Sequence, residues 1–225
     1  MAITLNIPES LSEITLGQYQ KWVKITEGQE INNFYQQKMI EIFCGADLKD
    51  ALKMRVKDIN ELTLELNKLF ETKPKFVDRC TINDNEFGFI PKLDDMSFGE
   101  YIDLDTYLAE WETMDLAMGV LFRPVIFSRK GKYLIEDYET ASKYNMKNMR
   151  LDVVMGALVF FWNLKNELLK HIVNYLQNQQ DVKLPQHLIA SIRNGVGFNP
   201  FTDSVMETLE TLKTVSYTHL RAHET

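Results

Sequence analysis

Apolar residues recur along the N-terminal part of the chain with the spacing of amphipathic α-helices. They predict helices over residues 31–43, 48–55 and 58–70, the second of these of one or two turns, and residues 18–26 continue a helix whose start is capped at Thr15. Gly45 predicts the end of the helix over 31–43, because glycine readily takes the left-handed backbone that follows many helices. Asp58 is expected to cap the helix over 58–70, with Glu61 as its capping-box partner.

Alternating apolar and polar residues predict strands over residues 3–7, 76–82, 87–90, 125–128 and 133–135. The second and third runs bracket a four-residue loop, 83–86, and the fourth and fifth bracket another, 129–132. Each pair therefore predicts a small β-hairpin. Three cations lie in the second loop, and we interpret them as a solvated tip rather than as a contact for an anionic partner.

The remainder of the chain predicts helices over residues 97–108, 151–177, 184–192 and 203–213, with residues 111–122 either extending the first of these or following it. Within the longest of these, residues 153–162 are apolar on every side, which indicates a helix buried in the core. This apolar stretch is much shorter than the roughly 20 residues that cross a bilayer. We therefore expect no membrane-spanning segment here.

The same helix-start pattern occurs twice in the chain. Thr15 stands three residues before Gln18, and Ser97 stands three residues before Glu100, which is the spacing of a capping box. An Ile-Pro dipeptide precedes each box by a few residues. Two interpretations remain open: both segments converged on a good helix start, or they belong to a duplicated unit whose halves pack around a shared core.

The helical pattern breaks at Lys73-Pro74. We divide the chain there into an N-terminal helical part, residues 1–72, and a part with a hairpin and the central and long core helices, residues 73–214. The expected fold class is predominantly α with small β-hairpins (α+β), in a helical globular protein for which a twofold internal repeat is one of the two interpretations.

The last eleven residues, Val215 to Thr225, match the translation of a transposase adapter that is used to prepare sequencing libraries. Because such a match is very improbable by chance, we interpret residues 215–225 as an adapter-derived artefact. The natural protein is expected to continue after Thr214 with other residues. His219 and His223 have the spacing of two helical metal ligands, but they belong to this segment.

Composition and net charge exclude several classes of function. The chain has 225 residues, of which 45% are apolar and 25% charged, as in ordinary soluble globular proteins. Its net charge of −7 argues against binding to nucleic acid or to anionic membranes. Cys44 and Cys80 are expected to be reduced packing residues in a cytosolic protein. The N-terminal residues lack the pattern of a secretory signal.

No sequence pattern indicates catalysis, a metal site or a cofactor. The acidic residues of 94–115 include Asp103 and Asp105, but these diverge by about 200° on a helix and cannot act together on one bond. Neither His171 nor His187 has a nearby carboxylate and nucleophile in the sequence. We therefore predict no catalytic residue, no metal ligand and no cofactor.

The aromatic and acidic residues of the central helix are the best candidates for contacts with another protein. Tyr101 and Trp111 are expected to be partly exposed, because acidic neighbours solvate the same helix, and aromatic residues often contribute most to binding. We predict an interaction site formed by Tyr101, Asp103, Asp105 and Trp111.

Two stretches, LSEITLGQYQKW at residues 11–22 and residues 89–111 with the following AMGVLFRP, resemble proteins encoded among the virion and tail-assembly genes of tailed bacteriophages, including crAss-like ones. With residues 151–168, the resemblance covers about half of the chain. It implies a non-enzymatic virion, tail or baseplate assembly protein, or an assembly chaperone. The implied partners are other phage virion or tail proteins, with self-association as a further expectation, in the host cytoplasm or the virion.

Two other functions remain open from the sequence. A host-directed adaptor would use the same surface on a different partner. A small hydrolase or transferase would need an active site assembled from residues that are distant in the sequence.

Overall fold

The computed structural model describes residues 5–27, 33–161 and 163–164. The helices predicted over 184–192 and 203–213 lie outside these residues, as do most of the helix predicted over 151–177 and the segment 215–225. The adapter origin of that last segment stays a prediction.

Helices form at each described place where the apolar spacing predicted one. They are α1 (Leu16–Thr26), α2 (Asn33–Cys44), α3 (Leu48–Ala51), α4 (Val56–Phe70), α5 (Phe98–Tyr107), α6 (Met114–Leu121) and α7, which begins at residue 151 and is described through 161. A short 3-10 helix, Trp111–Thr113, leads into α6. Gly45 follows α2 with φ +66°, so it ends that helix as predicted.

Both predicted capping boxes start a helix. Thr15 accepts a hydrogen bond from the Gln18 amide, and the Gln18 side chain accepts one from the Thr15 amide. The box predicted at Asp58 is wrong, because α4 begins two residues earlier, after Arg55. Asp58 lies in the first turn instead, where its charge favours the helix N-terminus and binds the Arg55 guanidinium at 2.9 Å. Duplication of the two box-containing segments stays a prediction.

The predicted hairpins are present, and they join into one antiparallel sheet. Its strands are β1 (Arg79–Ile82), β2 (Asn85–Phe89), β3 (Phe122–Arg129) and β4 (Lys132–Ile135), in the order β1-β2-β3-β4. Phe89 of β2 lies opposite Phe122 of β3, where the two hairpins meet. The predicted strand over 3–7 is wrong for its described part, since residues 5–7 are not in a strand.

The hairpin loops have two residues rather than the predicted four. Asn83 and Asp84 turn the first hairpin with φ 48° and 63°, and Lys130 and Gly131 turn the second with φ 50° and 76°. Positive φ at both central residues is typical of the tight turn that matches the twist of the strands. The flanking loop residues therefore extend the strands.

One hydrophobic core includes residues from both sides of Lys73-Pro74. Leu16, Leu66, Leu121 and Val153 are completely buried in it. The starts of α1 and α7 are also joined through their backbones: the Leu16 amide donates to Met149 and the Leu151 amide donates to Ile14, both at 2.8 Å. The division at residue 72 stays a prediction.

The state of the two cysteines and the length of the apolar helices were also predicted. Cys44 and Cys80 are buried and form no disulfide, as predicted. Among the residues described, every helix is too short or too polar to cross a membrane.

Candidate interaction face

Helix α5 starts at a fixed position because its N-terminus is fully capped. The Ser97 hydroxyl accepts from the Glu100 amide at 3.3 Å, and the Glu100 carboxylate accepts from the Ser97 amide at 2.7 Å. Such a box satisfies two backbone donors that a helix start would otherwise leave unpaired. Local sequence thus sets where the helix begins and which side chains follow in its first turn.

The same glutamate holds α5 against the sheet. The second carboxylate oxygen of Glu100 lies 2.9 Å from an Nη of Arg123, the second residue of β3. Both side chains are at least nine-tenths buried, so each charge depends on the other for its stability in a medium of low dielectric. This ion pair fixes the inner side of α5 relative to the base of the β3–β4 hairpin.

Tyr138 adds a second connection between α5 and the segment after β4. Its ring lies 5.8 Å from the Arg123 guanidinium carbon, and its hydroxyl donates to the Asp103 carboxylate. Partial burial, and then this hydrogen bond to Asp103, raise the pKa of the Tyr138 hydroxyl above its usual value. The tyrosine therefore stays protonated and remains a donor to Asp103 at neutral pH.

The outer side of α5 exposes two large apolar side chains. Phe98 is 78% exposed and Ile102 is 47% exposed. Because they are four residues apart, they lie next to each other on the helix surface. The opposite side buries Glu100 and Leu104. A helix that is apolar on the outside as well as on the inside has a surface suited to contact with another molecule.

The structure brings two of the four predicted interaction residues beside this exposed pair. Tyr101, Asp103 and Asp105 are half-buried on α5. The helical repeat places Tyr101 and Asp105 beside Phe98 and Ile102, and Asp103 about 120° away, where it binds Tyr138. Trp111 lies elsewhere: its ring contacts Tyr19 edge-on at a centroid distance of 4.6 Å, and its carbonyl accepts from Gln20. Trp111 thus packs against α1.

Phe98 and Ile102 were missing from the predicted site. A signal for them exists in the sequence, since they stand four apart on the side of α5 opposite Leu104. That spacing alone does not distinguish an exposed apolar pair from one that packs in the core. We call the surface formed by Phe98, Tyr101, Ile102 and Asp105 the α5 face.

The surroundings of the α5 face are acidic. No lysine or arginine occurs between Lys92 and Arg123. Within the described ranges, several acidic residues of this stretch have cationic partners, as Glu112 has Lys24. Among the same residues, no cation lies within ion-pair distance of Asp94, Asp105 or Glu110. The face therefore combines exposed apolar area with uncompensated negative charge.

The described residues contain no group of three or more side chains that could hold a metal ion. Burial raises the pKa of the Cys44 thiol to about 11, and burial raises that of Cys80 to about 11 as well. Both therefore remain thiols at neutral pH, and a thiol is a poor nucleophile. His171 and His187 lie outside the described residues.

No protein-family model matches this chain, and neither a curated protein nor a solved structure matches it significantly. The structure itself defines an α+β protein whose α5 face is apolar, acidic and anchored to the sheet by a buried ion pair.

Proposed function

We propose that this chain is a non-enzymatic structural or assembly protein of a tailed bacteriophage, which binds another virion or tail protein through the α5 face. The observation that carries the proposal is the exposure of Phe98 and Ile102 on a helix that is held rigidly at its N-terminus. Large apolar side chains on a preorganised surface contribute strongly to binding, because little conformational freedom is lost when the partner arrives.

Charge indicates the chemistry of the partner. In the described part of the chain, no cation lies within ion-pair distance of Asp105 on the α5 face, nor of Asp94 before α5 or Glu110 after it. A basic segment with apolar residues on one side would complement this surface, and opposite charges also accelerate the encounter of the two proteins. The proposed partner is therefore a basic amphipathic segment of another virion or tail protein.

The resemblance to phage virion and tail-assembly proteins supports the biological setting of the proposal. A role as a tail or baseplate assembly chaperone fits a surface that receives a segment of a client protein. The host cytoplasm, where tails are assembled, and the virion are the two places in which such a contact would form.

The proposal is tested by co-expressing the chain with each protein encoded by its neighbouring genes and measuring the affinity of every complex that forms. The variant Phe98→Gln/Ile102→Gln removes the apolar pair but keeps good helix-forming residues. We expect it to weaken binding about tenfold or more, as expected when an apolar anchor at an interface is lost.

The matched control is Leu52→Gln/Val56→Gln, which removes two apolar side chains that are similarly exposed elsewhere, at 63% and 73%. The control is expected to bind like the original chain. Binding of the Phe98→Gln/Ile102→Gln variant with unchanged affinity would refute the role of the α5 face.

A further inference from the structure

The β3–β4 hairpin has an inner and an outer side. On the inner side, the Tyr133 ring lies against Gly88 and its hydroxyl donates to the Phe89 carbonyl at 2.8 Å. Side chains alternate between the two faces of a strand. Phe127 and Leu134, which lie opposite each other across the two strands, therefore point to the outer side.

This outer side is apolar and basic. Phe127 is 54% exposed and Leu134 is 58% exposed. Arg129 and Lys132, also opposite each other, follow on the same side at the turn. In the part of the chain that the structure describes, no carboxylate lies within ion-pair distance of either cation. We call Phe127, Leu134, Arg129 and Lys132 the hairpin tip.

The hairpin tip has the positive charge that would complement the negative charge of the α5 face. Each surface has a pair of exposed apolar side chains together with charge that has no ion-pair partner among the described residues, negative at Asp105 and positive at Arg129 and Lys132. On both surfaces a charged residue also follows an apolar one at short range. Along a strand, Arg129 lies about 7 Å beyond Phe127, and along the α5 axis, Asp105 lies roughly 5 Å beyond Ile102.

The two surfaces do not cover each other within one copy of the chain. Phe98, Ile102, Phe127 and Leu134 are all exposed at the same time. We infer that the hairpin tip of one copy binds the α5 face of a second copy. This inference rests on the proposed function, since it takes the α5 face to be a binding surface and names one occupant of it.

The contact is head-to-tail, because two different surfaces meet. Such contacts close into a dimer or a ring, or continue as a filament, according to the rotation between neighbours. Self-association and binding of a client would then exclude each other at the α5 face, so a client must displace the hairpin tip of the neighbouring copy.

The test measures the mass of the full chain in solution by sedimentation over a range of concentrations, at about 0.05 M and about 0.5 M salt. Association beyond the monomer is expected at low salt, with a dissociation constant that rises about tenfold or more at high salt, because salt screens exposed charges. A monomer at every concentration and at both salt concentrations would overturn the inference.

Charge reversal identifies the surfaces. Arg129→Glu/Lys132→Glu makes the hairpin tip acidic, and Asp94→Lys/Asp105→Lys places cations on the α5 face and on the segment that leads into α5. Each variant alone is expected to be a monomer where the original chain associates. An equimolar mixture is expected to associate again, since the acidic tip of the first variant meets the basic face of the second. A mixture that stays monomeric would overturn the inference.

A measurement without substitutions covers the case in which a variant fails to fold. A carbodiimide joins lysines directly to carboxylates that they contact. In a mixture of ¹⁴N- and ¹⁵N-labelled chains, mixed-isotope cross-links are expected from Lys130 or Lys132 to Asp94 or Asp105. Their absence, with cross-links at other ion pairs present, would contradict the contact.

Client binding separates this inference from the proposed function. Arg129→Glu/Lys132→Glu leaves the α5 face intact, so this variant is expected to bind a client at least as tightly as the original chain while it no longer self-associates. A chain that self-associates but binds no neighbouring gene product would refute the proposed function and leave the self-contact standing.

Discussion

Glu100 has two structural roles at once, and they act over different distances in the chain. One carboxylate oxygen closes the capping box with Ser97, three residues away, and the other binds Arg123 on β3. The first contact is visible in the sequence as a local pattern. The second depends on how α5 packs on the sheet, and it decides that the helix presents Phe98 and Ile102 to the outside.

Arg123→Met is expected to lower the free energy of unfolding by about 3–5 kcal/mol, because it leaves the buried Glu100 carboxylate without a counter-charge. The methionine keeps most of the length of the side chain, so the loss of stability is caused mainly by the missing counter-charge. Urea unfolding measures it.

The double variant Glu100→Gln/Arg123→Met is the control for this substitution, since the glutamine can keep the capping box without a buried charge. It is expected to recover a large part of the lost stability. Lys57→Ala, which removes one partner of an exposed pair with Glu61, is expected to change stability by no more than about 1 kcal/mol. An Arg123→Met variant as stable as Lys57→Ala would contradict the prediction.

Two helical glycines are expected to respond in opposite ways to alanine. A Cβ at Gly119 in α6 would lie 2.1 Å from the Ala141 carbonyl oxygen, whereas a Cβ at Gly99 in α5 meets nothing within 4 Å. Gly119→Ala should destabilise the protein by about 1–3 kcal/mol through overpacking. Gly99→Ala should stabilise it by about 0.4–1 kcal/mol, because the unfolded chain loses conformational freedom. Thermal unfolding of the two variants side by side shows whether each substitution raises or lowers the stability. Equal changes in the two variants would refute the packing argument.

At the scale of secondary structure, the two tight turns determine how far each hairpin extends. A four-residue loop over residues 129–132 would end β3 before Arg129 and begin β4 after Lys132. The two-residue turn at Lys130 and Gly131 pairs these cations across the strands instead. The position of the positive charge on the hairpin tip therefore follows from the length of the turn.

The first hairpin offers a test of the turn assignment at Asp84, whose φ is 63°. Asp84→Val is expected to destabilise the protein by about 1–2 kcal/mol, because a β-branched side chain strains the backbone at positive φ. Asp84→Gly is expected to leave the stability unchanged or to raise it slightly. Chemical denaturation distinguishes the two, and similar losses for both variants would favour a longer, less constrained loop.

At the scale of the whole molecule, burial of ionisable groups makes the free energy of unfolding depend on pH in the alkaline range. Cys44 and Cys80 both belong to the core, and burial raises each thiol pKa from its ordinary value of about 9 to about 11. The unfolded chain releases these protons at a lower pH than the folded protein does. Ionisation therefore favours the unfolded state once the pH rises above the unfolded pKa.

The free energy of unfolding is expected to be independent of these thiols below about pH 8, and to fall as the pH rises from about 9 to about 11. Urea midpoints measured across this range test the prediction. Cys80→Ala removes one of the two groups and should make the decline shallower. A decline of unchanged steepness in this variant would show that other groups cause it, such as the buried tyrosines, whose pKa values burial also raises.

The sequence by itself determined the features that depend on residues a few positions apart. It determined where α1 and α5 begin, because a capping box spans three residues, and where α2 ends, because Gly45 takes a left-handed backbone. It also determined that two hairpins form and that both cysteines are packed in the core. These outcomes follow from local hydrogen bonding, backbone preference and the pattern of apolar positions.

Only the tertiary structure decided which distant segments meet. It joined the two hairpins at Phe89 and Phe122, paired Glu100 with Arg123, and turned Trp111 towards α1 while leaving Phe98 and Ile102 exposed. The physical reason is that an apolar residue can lie in a core or at an interface with the same spacing along the chain. Which of the two it does depends on the packing of elements far apart in sequence, and local patterns carry no information about that packing.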